Sequence, residues 1–127
     1  MSGVVLDASA LLAFLHDEPG GHRVSQVLDG ATVSTVNWSE VLQKALQRNV
    51  DIEGMQQEFV DVGVVFEPFS PRQAEIAARL WSLTRKHGLS LADRACLALA
   101  TDTARPLLTA DQAWNRLGLE IEIRMVR

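Results

Sequence analysis

The sequence predicts an α/β fold: a doubly wound, mostly parallel sheet of about five strands with helices on both faces. Three observations carry that expectation. Short β-branched apolar runs alternate along the chain with stretches of helical periodicity, the order that gives parallel sheets their crossovers. Several of those runs are continuously apolar, as strands covered on both faces are. The last run, Leu119 to Val126, alternates instead: Leu119, Ile121, Ile123 and Met125 share one face, while Glu120, Glu122 and Arg124 share the other. That suits a half-exposed edge strand.

Taken in order, the strands are expected at Gly3–Asp7, Ala31–Val36, Gly63–Phe69, Pro106–Thr109 and within Leu119–Val126. Between them, Ala8–His16 and His22–Leu28 read as helices flanking the turn signal "EPGG". Asn37–Arg48 sets Trp38, Val41, Leu42, Ala45 and Leu46 at helical spacing. A shorter helix is expected over Ile52–Val60. Pro71 opens a long one that Gly88 ends after His87. Leu91–Thr101 and Asp111–Leu117 complete the set. Trp38 and Trp81 are expected in the core. No repeat, linker or low-complexity segment interrupts the pattern, so residues 1–127 read as a single domain.

Composition narrows the class. The chain has 127 residues, 47% hydrophobic and 22% charged, which suits a folded domain able to bury a core without disulfides. No run is long and apolar enough to span a bilayer. "MSGVVLDASALLAFL" superficially resembles a signal peptide, but no basic segment leads it and Asp7 interrupts it. It is expected to be part of the fold. The lone Cys96 sits in an apolar helix and fits a buried thiol in a reducing cytoplasm. The net charge of −4 carries no basic footprint for nucleic acid. It is compatible with carboxylates gathered for a metal.

Those carboxylates fall at strand-to-helix junctions, where open α/β sheets bind ligands. Asp7 ends the first strand. Glu40 lies in the first turn of the helix after the second. Asp93 opens the apolar helix "LSLADRACLALA", and Asp111 begins the segment after the fourth strand. Each has a purely local explanation, because an acid at a helix N-terminus complements the helix dipole by roughly 0.3–1 kcal/mol. Asn37-x-x-Glu40 and Ser90-x-x-Asp93 also have the spacing of capping boxes. Glu40 falls nearly opposite the apolar stripe of its helix, toward a cleft or toward solvent. Four clustered carboxylates would raise one another's pKa values, and a hard divalent cation relieves that repulsion. Oxygen ligands alone favour Mg²⁺ or Mn²⁺ over zinc.

The segments "VVLDASALLAFL", "STVNWSEVLQKAL", "LSLADRACLALA" and "PLLTADQAW" together resemble the PIN domain, and within it the VapC-type toxins of toxin–antitoxin pairs. The likeness covers the whole chain. It implies a Mg²⁺- or Mn²⁺-dependent endoribonuclease whose metal-binding, catalytic acids are Asp7, Glu40, Asp93 and Asp111. In-line attack by activated water would leave 5′-phosphate and 3′-hydroxyl ends, with one metal or two. Ser9 and Thr109 match positions where the family often carries a hydroxyl that orients carboxylates, and a helix-capping role accounts for them equally. A small cognate antitoxin and a homodimer are implied partners, with "SALLAFLHDEPGG" available to line an antitoxin groove.

RNA must still approach an acidic protein. Lys44, Arg48 and Arg94 lie nearest the expected cleft and are candidate RNA contacts. Arg72, Arg79 and Lys86 form a stripe on their own helix, and for all six cations a solvated helix face is the default reading. The competing class is a catalytically silent PIN-like scaffold for RNA or protein. A haloacid-dehalogenase-type phosphatase would want a second Asp two residues after Asp7, and "LDAS" lacks it. A receiver domain would want an acidic pair after the first strand and a late lysine, and neither is evident.

Overall fold

The computed structural model describes residues 1–127. Five short parallel strands form one sheet: β1 (Val5–Leu6), β2 (Thr32–Ser34), β3 (Val65–Glu67), β4 (Leu107–Thr109) and β5 (Ile123–Met125), in the order β3-β2-β1-β4-β5. The helices are α1 (Ala8–Leu15), α2 (Gly21–Ser25), α3 (Thr35–Gln47), α4 (Met55–Asp61), α5 (Pro71–Thr84) and α6 (Leu91–Thr103). Single 3₁₀ turns at Arg85–His87 and Gln112–Arg116 complete the set. The chain extends the sheet from β1 through β2 to β3, then returns to place β4 on the other side of β1. The strand order therefore reverses between β1 and β4.

Adjacent residues of the central strand divide the core between the two faces. Leu6 packs with Leu11, Val24, Val41 and Phe59, from α1 to α4. Val5 packs with Leu80, Cys96, Leu99 and Trp114, on the side of α5 and α6. Val5 and Leu6 are both fully buried, and each such side chain contributes roughly 1.5–3 kcal/mol relative to exposure. The apolar character of α6 has the same origin. It packs against α5, α3 and the sheet, and Ala95 through Ala100 are all buried.

Several sequence expectations change in detail. Helix α3 begins two residues early, at Thr35, because Ser34 caps it through the Val36 N–H. Glu40 is therefore in the second turn, and no Asn37–Glu40 capping box forms. The long helix of residues 71–87 stops at Thr84 and tightens into a 3₁₀ turn before Gly88. The third strand is an edge, so Val65 is exposed and not covered on both faces. Trp81 is half exposed, with the Arg85 guanidinium over its ring, whereas Trp38 and Trp114 are in the core. On β5 the alternation holds: Ile123 and Met125 are half-buried and Arg124 is exposed.

Candidate active site

The reversal between β1 and β4 leaves a crevice at the carboxyl ends of those strands, the usual ligand position in such sheets. A cleft of about 470 Å³ opens there, and Asp7, Glu40, Asp93 and Asp111 all line it. Four acids from distant segments thus share one cavity. Each is placed by local structure. Asp7 ends β1 and caps α1, its Oδ1 accepting the Ala10 N–H at 2.8 Å. Glu40 projects from α3. Asp93 closes a capping box with Ser90 at the start of α6, its Oδ2 accepting the Ser90 N–H at 3.0 Å. Asp111 caps the 3₁₀ turn after β4, accepting from the Ala113 N–H at 3.0 Å.

Asp7 is the buried centre of the cluster, 4% exposed. Thr109 Oγ1 lies 2.6 Å from its Oδ2, and Ser9 Oγ lies 2.8 and 3.0 Å from the two oxygens. The direction of these bonds follows from their neighbours. The Ala110 N–H donates to Ser9 Oγ at 2.9 Å, and the Asp111 N–H donates to Thr109 Oγ1 at 3.0 Å. Each hydroxyl accepts a main-chain proton and has its own proton free for Asp7. Burial nevertheless outweighs these donors and pushes the Asp7 carboxyl up to about 6, with the nearby Asp93 charge acting in the same sense. Burial also raises Glu40; Lys44 on the next turn opposes the rise and Asp93 adds to it.

The donor set suits a hard cation. Every acid in the cleft offers oxygen, and the single thiol, Cys96, is buried with its pKa raised well above the ordinary range by that burial. No three Asp, Glu, His or Cys side chains stand close enough to enclose an ion by themselves. Mg²⁺ is characteristically held by one or two carboxylates and retains several waters. An open, acid-lined cleft with one carboxylate carrying a desolvation penalty fits that pattern.

The candidate RNA contacts separate. Lys44 on α3 and Arg48, which caps that helix one turn further on, line the cleft. Arg94 does not: its Nη1 donates to the Ala77 carbonyl of α5 at 2.9 Å, so it ties two helices together. Arg72 is paired with Asp102 at 2.5 Å. The "SALLAFLHDEPGG" segment offers little free apolar surface, because Ala10, Leu11, Leu12 and Ala13 are buried. Sequence reasoning missed His16, Glu18, Gln47 and Arg127, which also line the cleft. Gln47 had a signal, lying one turn beyond Lys44. Arg127 had none, since only the completed sheet brings it beside residues 18 and 19.

An all-parallel sheet with a reversal at its central strand, and an acidic cleft at that reversal, defines a class of α/β protein built around a carboxylate-lined site. Residues 4–119 match the family model of the PIN domain, and the chain belongs to that family. A comparison with curated proteins found no match. Among solved structures the fold is similar to a toxin–antitoxin complex from Klebsiella pneumoniae, at 16% identity over 98% of each chain with a TM-score of 0.72. It is similar to DNA-bound VapBC from Salmonella typhimurium, at 13% identity over 100% of each chain with a TM-score of 0.74. FitAcB from Neisseria gonorrhoeae matches at 20% identity over 94% of this chain and 95% of that one, with a TM-score of 0.69. The chain thus has the fold of toxin–antitoxin toxins. No helix in it is long and apolar enough to cross a membrane.

Proposed function

We propose that the protein is a Mg²⁺- or Mn²⁺-dependent endoribonuclease and the toxin of a toxin–antitoxin pair. The observation that carries this reading is the meeting of Asp7, Glu40, Asp93 and Asp111 in one cleft around a buried, hydroxyl-clamped carboxylate. Asp7 and Asp93 would hold the cation, with Glu40 and Asp111 assisting. When bound, it supplies a Lewis acid that lowers the pKa of water and offsets phosphodiester charge.

The chain's own residues do the rest. Ser9 and Thr109 fix the rotamer of Asp7 and favour its ionised form. Lys44 and Arg48 bind backbone phosphates beside the acids, neutralising charge that the carboxylates would repel. A small antitoxin covering the cleft would silence it, and a homodimer is the expected assembly; the toxin–antitoxin complexes of similar fold support that partnership. The competing reading, a silent scaffold, rests on one observation: Asp7, Asp93 and Asp111 each cap a helical turn.

The test is cleavage of a labelled RNA. The parent is expected to cut in Mn²⁺ or Mg²⁺ and to stop in EDTA. Asp7→Asn and Asp93→Asn are expected to remain folded and lose activity by about a hundredfold or more, the scale of a several-kcal/mol catalytic term. A folded variant that cuts as fast as the parent overturns the site. A parent that binds RNA but never cuts it supports the scaffold.

A further inference from the structure

The cations of the cleft come from two unrelated elements. Lys44 lies on α3 and Arg48 is the residue that caps its carboxyl end, whereas Arg127 follows β5. The placement of Arg127 is built by several independent contacts. The Val126 N–H donates to the Thr109 carbonyl at 2.9 Å, extending the pairing with β4 one residue beyond β5, and Val126 is buried. Gly20 stands at φ 91° against it, where a Cβ would lie 2.6 Å from the Val126 carbonyl oxygen. That close approach is open only to glycine. The Arg127 carbonyl accepts a hydrogen bond from the Gln112 side chain, and its Nη1 donates to the Pro19 carbonyl at 2.9 Å.

What the guanidinium lacks is a closed ion pair. Arg72 and Arg124 each meet a carboxylate at 2.5 Å. Arg127 comes no nearer than 3.9 Å to Glu18, and it forms no salt bridge with the four acids of the same cleft. A guanidinium has five N–H donors in a planar fork matched to phosphate oxygens. One is engaged by Pro19; the others remain open. Holding the side chain by a neutral carbonyl reduces the conformational freedom lost when it takes a ligand.

We infer that Arg127 is a phosphate-positioning residue that holds a backbone phosphate flanking the scissile one. The inference rests on the nuclease reading and deepens it. The cleft then recognises an oligonucleotide through phosphates gripped from α3 and from the end of the sheet, and a single phosphodiester does not fill it.

The experiment uses the full chain with Asp93→Asn to silence cleavage, and a 5′-labelled single-stranded RNA in Mg²⁺ at several salt concentrations. Arg127→Gln removes the charge while keeping a polar side chain with N–H donors. It should weaken binding and lower the magnitude of the log K against log salt slope by about 0.7, the value for one single-strand phosphate contact. Arg127→Lys should restore the slope. Unchanged affinity and slope in Arg127→Gln overturn the proposal, as does weakening with an unaltered slope, which marks a structural tie. Absence of RNA binding by the Asp93→Asn chain also overturns it. Cleavage by the parent is followed separately. A cutting parent with an unchanged Arg127→Gln slope removes Arg127 and leaves the nuclease standing. A non-cutting parent with a lowered slope removes the nuclease and leaves the phosphate contact.

Discussion

Thr109 Oγ1 lies 2.6 Å from Asp7 Oδ2, joining two residues 102 positions apart across neighbouring parallel strands. The bond orients a carboxylate that has almost no contact with solvent, and it links the loop carrying Asp111 to the loop carrying Asp7. Thr109→Val keeps the shape and removes the donor. It leaves the Asp111 N–H without its acceptor and Asp7 with one donor fewer. Urea denaturation should show a loss of about 1–3 kcal/mol. The acid limb of the cleavage pH profile should move to higher pH, because the ionised form of Asp7 loses support. An unmoved acid limb would separate Thr109 from the carboxylate's chemistry.

Asp7 makes the metal-free protein sensitive to pH. Burial holds its carboxyl at about 6 in the folded chain, above the 3.8 of an aspartate in water. The neutral form is therefore the one favoured by folding. Its stabilising contribution is complete below pH 3.8 and is lost as pH rises through about 6. By pH 7 the loss approaches about 2–3 kcal/mol for this group alone. Urea midpoints in EDTA should fall between pH 4 and pH 7, and Asp7→Asn should remove that part of the slope. The variant should also be more stable than the parent at pH 7 without metal. A parent and variant with parallel pH profiles would contradict the desolvation of Asp7.

Divalent cation should reverse the penalty. Saturating Mn²⁺ binds the folded state and raises its stability by about 2.7 kcal/mol at a hundred times Kd. The gain should shrink as pH falls through about 6, where a proton competes for Asp7. Thermal melts with and without Mn²⁺ at pH 5 and pH 7.5 check this. Equal gains at both pH values would place the ion away from Asp7.

Capping and chemistry separate at α6. Ser90→Ala removes the hydroxyl that accepts the Asp93 N–H and should cost about 1 kcal/mol while cleavage persists. Asp93→Asn retains an acceptor for the Ser90 N–H and should cost little stability while cleavage falls. The opposite pattern, an active Asp93→Asn and an inactive folded Ser90→Ala, would make Asp93 only a cap.

Much of this was legible along the chain. The alternation of strands and helices gave the architecture because parallel sheets need crossovers. The uniformly apolar α6 announced its burial between the sheet and two helices. Asp7 and Asp111 could be picked out because each follows a strand, Asp93 because it heads an apolar helix, and Glu40 because it lies early in the helix after the second strand. Ser9 and Thr109 came from the family resemblance alone. Other features depend on which strand lies beside which. Val65 reads as a core residue until β3 proves to be an edge. Arg94 reads as a cleft residue until its side chain turns to the Ala77 carbonyl. Trp81 sits at an apolar helical position, yet it is half exposed, with the Arg85 guanidinium over its ring. Arg127 is beyond local reasoning, since Glu18 and Pro19, which its guanidinium approaches, are more than a hundred residues away.

The pairing of β1 with β4 has a consequence for synthesis. A ribosome must emit about a hundred residues after Val5–Leu6 before Leu107–Thr109 can settle beside them. Until then Asp7 has neither Thr109 nor Asp111 near it. The four acids therefore cannot share one cleft until the segment that carries Asp111 has been made and has paired.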